Sequence, residues 1–185
     1  MTEEQGAERW LSRVVVALFA LSMLGLVVTG ANGPANPHLA PPGVVSTRSM
    51  PGFAEIAFTV RAAKQQSGAQ LCGALADSQP QHQRGMMGRH DLGGYDAMVF
   101  RFGGDATVPF YNRDVPIGLS IAWYDAAGRF VKGADMPSCP NVDSCPLFGA
   151  GAPYRYAVEA PQGGLARIGV GPGSTLAVGG ACPSA

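Results

Sequence analysis

FYNRDVPIGLSIAWYDAAGRFVK, residues 110–132, carries the clearest local pattern in the chain. Ile117, Leu119, Ile121 and Trp123 alternate with Gly118, Ser120, Ala122 and Tyr124, the period-two pattern of a strand with one apolar face. Asp125-Ala126-Ala127-Gly128 places Asp at the first position of a turn and Gly at the last, so the chain should reverse and return through Arg129 to Lys132. A hairpin this apolar is not stable alone and calls for a larger sheet around it.

Composition points the same way. The 185 residues suit one domain with extensions, and the 46% apolar fraction is ample for a core. With 26 Gly and 15 Pro, the chain suits short strands joined by turns, and the fold class read from it is all-β. The formal net charge is zero and the 13 Lys and Arg residues are scattered singly, with no basic stripe of the kind that contacts nucleic acid. A nucleic-acid partner is therefore not expected.

Toward the N-terminus, VVVALFALSMLGLVVTG, residues 14–30, has no charged residue, and Arg9 and Arg13 precede it. The positive-inside rule then puts residues 1–13 in the cytoplasm and everything after the run outside. Its length lies between a signal-peptide core and a full membrane span. Thr29 and Ala31 would suit cleavage near Ala31, giving a secreted or periplasmic product, but Glu3, Glu4 and Glu8 are poor signal-peptide features. The balance favours an uncleaved hydrophobic helix, and so a single-pass membrane protein. Residues 32–52 hold Pro34, Pro37, Pro41, Pro42 and Pro51 and read as an extended linker. The folded domain is then assigned to residues 53–185.

Within it, Glu55 to Val60 and Gln70 to Ala76 read as strands, with Leu71 and Leu75 candidates for burial. Ser78 with Gln81 three residues later fits a capping box, so a short helix should run from Gln79 to about Met87. Asp96 to Phe102 is the next strand, and Thr107 to Tyr111 leads into the central hairpin.

Several boxes in order carry a family resemblance. Gly85-Met86-Met87-Gly88-Arg89, the segment Phe110 to Val131, Met136-Pro137-x-Cys139 with Cys145-Pro146, Pro153 to Glu159, and Ala166 to Gly173 resemble motifs of the DUF192 family. The resemblance runs from about Gln70 to Val178. It implies a compact, mostly antiparallel β-sandwich or barrel with one or two short helices, often exported, and no established activity. Asn112, Asp114, Val115, Gly118 and Ser120 stand where that family usually has Met, Asn, Thr, Pro and Asp.

Catalytic signatures are weak. Asp114 and Asp125 sit at opposite ends of the central strand, too far apart for a carboxylate pair. Neither Ser120 nor Ser174 lies in a nucleophile elbow, and Gly169 to Gly173 lacks the Lys and helix of a phosphate loop. No catalytic residue is assigned, and no cofactor is expected. His82, His90, Met86 and Met87 could in principle hold copper, but the two methionines are more simply the apolar face of a short helix. A binding site, if a polar turn forms one, is placed at Asn112, Arg113 and Asp114, with Arg89 from the Gly-Met-Met-Gly-Arg box, because a loop at the end of a rigid strand positions side chains well.

Four cysteines in an exported domain argue for disulfides rather than metal. Cys139 and Cys145 bracket a short loop that a bridge could close, which leaves Cys72 for Cys182. The leading functional expectation is a membrane-tethered, extracytoplasmic binding or envelope-structural domain without catalysis. A groove lined by Tyr95, Tyr111, Tyr154 and Tyr156 would favour it. Two alternatives are a small envelope hydrolase, which would need Asp114, Arg113 and a His in one pocket, and a thiol-redox or copper-handling module.

Overall fold

The computed structural model describes residues 48–140 and 144–184. The chain divides into two units, 1–41 and 42–185, and every described residue belongs to the second. The hydrophobic run of residues 14–30 and most of the linker lie outside the described residues. Among the described residues no helix is long and apolar enough to cross a membrane.

The elements are β1 (Ala54–Arg61), β2 (Ala69–Ala76), α1 (Gln79–Arg84), β3 (Ala97–Ala106), β4 (Leu119–Tyr124), β5 (Phe130–Met136), β6 (Tyr154–Pro161), α2 (Gly164–Arg167) and β7 (Thr175–Val178). They form one seven-stranded sheet in the order β5-β4-β6-β3-β2-β1-β7. All neighbours are antiparallel except β2 and β3, which run parallel because α1 carries the chain back between them. The sheet is thus mixed. It is also a single curled sheet, a half-barrel, rather than the stacked pair of a sandwich.

The curl brings opposite edges of the sheet together. The Phe130 amide at the start of β5 donates to Ser174 O at 3.2 Å, and Leu176 N of β7 donates to Gly128 O at 2.8 Å. Gly128 has φ +71, and a Cβ there would strike the carbonyl oxygen of Leu176. The residue that closes the central turn therefore also allows the seam of the curl to close.

The central hairpin forms where its alternation and Asp-x-x-Gly turn place it. Asp125 Oδ1 accepts from the amides of Ala127 and Arg129, both at 2.9 Å, which is the side-chain turn bond that Asp supplies. One expectation is corrected: β4 has no solvent face. Ser120, Ala122 and Tyr124 are buried along with Leu119, Ile121 and Trp123, because β4 lies between β5 and β6 and is covered on both sides. Trp123 packs near Phe110 and Tyr154, with ring centroids 6.0 and 6.4 Å away. On the opposite face the Tyr124 hydroxyl is bonded to Ser174 Oγ at 2.9 Å.

In β2 the fully buried residues are Cys72, Ala74 and Ala76, with Leu75 also buried and Leu71 only half-buried. The helix α1 is shorter than expected, ending at Arg84, because Gly85 adopts φ +43 and turns the chain out of the helix. Gln81 Oε1 accepts from the Ser78 amide at 3.1 Å and the Ser78 hydroxyl at 2.9 Å, tying the helix start. Between residues 107 and 111 only Phe110 pairs, through an isolated bridge to Phe148. Arg48 to Pro51 dock on the fold: Ser49 N donates to Gly93 O at 2.9 Å, and Met50 is buried.

Two disulfides fasten the structure. Cys139 is bonded to Cys145 across the short loop, and Cys72 to Cys182 across 110 residues, with Cα atoms 5.8 and 5.0 Å apart. The final strand, β7, pairs with β1 rather than with the strand of Cys72 itself. The bridge spans that difference: just past β7, Ala57 of β1 donates its N–H to Gly180 O at 3.2 Å and accepts at its carbonyl from Gly179 N at 2.9 Å, and Ala57 is the register partner of Cys72.

Candidate functional site

A cavity of about 440 Å³ lies between one face of the sheet and the segments that cover it. The sheet contributes Phe100 and Phe102 from β3, Leu119 from β4 and Glu159 from β6; α1 and the turn after it contribute His82, Met86 and Met87; and the stretch before β4 contributes Val108, Phe110, Asn112, Arg113 and Val115. The volume is in the lower part of the range usual for small-molecule sites.

Glu159 is the unusual member. Its strand is flanked by β4 and β3, and its register partners are Ile121 and Met98, both fully buried. The side chain is 3% exposed, and what remains accessible of it opens on the cavity. Its carboxyl makes no hydrogen bond and no ion pair with any described residue. Burial without a partner disfavours the charged form and pushes the carboxyl up to about 8, so at neutral pH it is mostly protonated.

Asn112 is held differently. Its Nδ2 donates to the carbonyls of Ile117, Met136 and Pro137 at 2.9, 3.1 and 3.0 Å. Three acceptors on one side fix which way the amide points, and they leave Oδ1 buried with no donor. Asn112 therefore stitches the polar turn to the end of β5 while keeping an unused acceptor. Beside it, the Arg113 guanidinium lies 5.0 Å from the centroid of the Tyr111 ring, in cation–π range, and its Nε is also buried without a partner.

The other residues assigned to a site from the sequence are elsewhere. Asp114 is exposed at φ +53; its backbone accepts from Gly88 N at 2.9 Å and donates to Cys139 O at 3.1 Å, so it is the corner of a turn. Arg89 donates from Nη2 to Pro51 O at 2.9 Å and lies 5.6 Å from the Phe53 ring, holding the start of the domain in place. Of the four, only Asn112 and Arg113 line the cavity. Because Asp114 does not join them, the Asp-Arg-His convergence that hydrolysis would need is not formed.

Nor do the tyrosines make one groove. Tyr111 lines the cavity, but Tyr154 is wholly buried, its hydroxyl donating to Val108 O at 2.7 Å, and burial holds its phenol above the usual range. In the His/Met group, His82 Nε2 lies 3.1 Å from both Ala76 O and Arg101 O, so it must carry a proton shared between two carbonyls, and Met86 is buried in the core. Among the described residues, the one group of three potential metal-ligating His, Cys, Asp or Glu side chains is Glu55, Cys72 and Cys182, whose two sulfurs are bonded to each other.

Glu159 was missed from the sequence because Arg155, Ala157 and Glu159 alternate with Tyr154, Tyr156 and Val158, which reads as a polar face turned to solvent. The signal that could have found it is the Glu that closes the family's Arg-Tyr-x-x-Glu strand box.

Fold and site together define a mostly-β domain whose covered sheet face encloses a cavity around an unpaired carboxyl. The model of the DUF192 family, described as uncharacterized, matches residues 60–178, and the chain belongs to that family. No curated protein matches the chain. Two of the solved structures that match the chain share its fold. One is a putative transcription regulator from Sinorhizobium meliloti 1021, with TM-score 0.60 and 21% identity, covering 70% of this chain and 98% of that one. The other is a protein of unknown function from Novosphingobium aromaticivorans, with TM-score 0.59 and 22% identity, covering 71% of this chain and 90% of that one. At these identities the likeness concerns the fold.

Proposed function

We propose that the domain is a membrane-tethered, extracytoplasmic binding module that holds a small ligand in the cavity beside Glu159 and performs no chemistry on it. One observation carries this reading: a carboxyl buried without any partner, lining a cavity walled by Phe100, Phe102, Phe110, Met86 and Met87. A buried polar group without a partner costs on the order of 1–3 kcal/mol, and a ligand that satisfies it offsets that cost. Apolar walls with a few convergent polar groups are the usual make-up of a small-molecule site. The apolar run of residues 14–30, preceded by Arg9 and Arg13, supports the tether, and two disulfides suit an oxidising compartment outside the cytoplasm.

Native mass spectrometry of the full chain, purified gently from its own host, tests the binding role. The protein should carry a bound small molecule, and Val108→Trp should lose it, since Val108 is exposed at the cavity wall and a larger ring there would fill the space. A wild-type protein that is always empty, at a mass matching the bare chain, would count against the reading. Fractionation tests the tether: the full-length chain should pellet with membranes and its domain should be open to external protease.

A further inference from the structure

We propose that the cavity recognises an organic primary or secondary ammonium, with Glu159 as its counter-charge. This deepens the binding reading above and rests on it. Two side chains over nine-tenths buried line the same cavity, and each leaves an acceptor unused: Glu159 its carboxyl, and Asn112, whose Nδ2 is spent on three carbonyls, its Oδ1. Once ionised, Glu159 can only accept, so a ligand that meets the carboxylate brings N–H or O–H donors.

Charge decides between the two. A neutral hydroxyl would be served as well by Gln at position 159, with no charge to desolvate. Only a cation offsets the desolvation of a buried carboxylate, and that is the one circumstance in which a carboxyl is the better residue there. The walls agree, because aromatic faces such as those of Phe100, Phe102 and Phe110 attract cations and accept an apolar body equally well. A quaternary ammonium has no N–H to give, so it would leave the acceptors unmet. The other titratable or charged side chains on the wall are His82 and Arg84 of α1 and Tyr111 and Arg113 of the segment before β4. His82 spends its Nε2 proton on backbone, Arg113 lies against Tyr111, and Arg84 is exposed at the helix end.

Capture is coupled to a proton. In the empty protein near neutral pH the carboxyl is protonated; when R–NH3+ enters, Glu159 passes its proton to solvent and becomes the carboxylate that faces the ammonium, so one H+ is released per ligand bound. Affinity should therefore rise about tenfold per pH unit between pH 6 and 7.5 and level off above about 8.

Titration calorimetry on the intact chain in detergent, against a panel of C4–C8 alkylamines and 2-phenylethylamine, each matched with its alcohol, carboxylate and trimethylammonium analogue, tests this. The amines should bind at least tenfold tighter than every analogue, with a proton released in buffers of differing ionisation heat. E159Q should abolish the release and the pH dependence and weaken amines at least tenfold, while leaving the alcohols within about twofold. Alcohols or carboxylates that bind as well as amines, in a manner Val108→Trp blocks, would overturn the ammonium while leaving the binding module standing. No binding by any probe, together with an empty native protein, would overturn both.

Discussion

Ile121 and Glu159 are register partners on adjacent strands, so a carboxyl occupies a position whose cross-strand neighbours on both sides, Ile121 and Met98, are apolar and fully buried. The consequence is a pH dependence of stability. The folded protein holds the Glu159 proton up to about pH 8, against 4.5 for an ordinary Glu. Because the native state binds the proton more tightly, the contribution is complete below about pH 4.5 and is lost as pH rises through about 8. The loss amounts to as much as about 4–5 kcal/mol. Urea unfolding at stepped pH should show wild-type stability falling between pH 5 and 8 and then levelling, with Glu159→Gln flat over that window. Parallel curves for the two proteins would mean the carboxyl is hydrated or paired.

Cys72 and Cys182 close a 110-residue loop, worth about 4–5 kcal/mol in the chain-entropy model, while the Cys139–Cys145 loop is worth about 2–2.5 kcal/mol. Cys72→Ala/Cys182→Ala should accordingly lower the denaturant midpoint about twice as far as Cys139→Ala/Cys145→Ala. Peptide mapping without reductant should recover these two linkages, and a peptide joining Cys72 to Cys139 would refute both.

Gly128 and Gly88 offer a matched comparison. Both have φ +71, but a Cβ on Gly88 meets open space, whereas one on Gly128 strikes Leu176 O at the seam of the curl. Gly88→Ala should cost about 1–2 kcal/mol, the penalty of the left-handed backbone alone. Gly128→Ala should cost distinctly more, on the order of 3 kcal/mol, because the Leu176–Gly128 hydrogen bond must also give way. Equal losses would show that the seam contributes nothing.

Asp114→Gly should be neutral or stabilising by up to about 1 kcal/mol, because it relieves φ +53 on a side chain that makes no bond in the described structure. Thermal unfolding reads this directly, and a clear loss of stability would give Asp114 a role beyond its backbone.

The parts of the molecule legible in the sequence are those set by local chemistry. Leu119 to Trp123 alternate, Asp125 and Gly128 make a turn, Ser78 and Gln81 start a helix, and each of these needs only its neighbours. What was not legible depends on which strands lie side by side. Nothing near Glu159 says that β6 is inserted between β4 and β3, and that insertion alone turns an apparently solvent-facing Glu into a buried one. The polar turn depends on long-range placement in the same way: Asn112 and Arg113 line the cavity together, whereas Asp114 is bonded through its backbone and Arg89 donates to Pro51 O outside that lining. The single curled sheet was likewise beyond reach, since a sandwich and a half-barrel share the same strands and differ in long-range closure.

Trp123 joins the legible part to the cavity's surroundings. Its ring is completely buried, its partners include Phe110 of the cavity wall, and its Nε1 has no hydrogen-bond acceptor. Trp123→Ala should cost about 3–5 kcal/mol, through lost burial and the void left between Phe110 and Tyr154. Trp123→Phe removes the unpaired N–H together with part of the ring, so the two effects oppose each other, and its cost should be less than half that of the alanine variant. Chemical unfolding of the two variants side by side separates packing from polarity. A Phe variant as unstable as the Ala variant would mean that the indole nitrogen has a partner, and a loss under about 1 kcal/mol for Ala would mean that the ring is not the core residue its burial makes it.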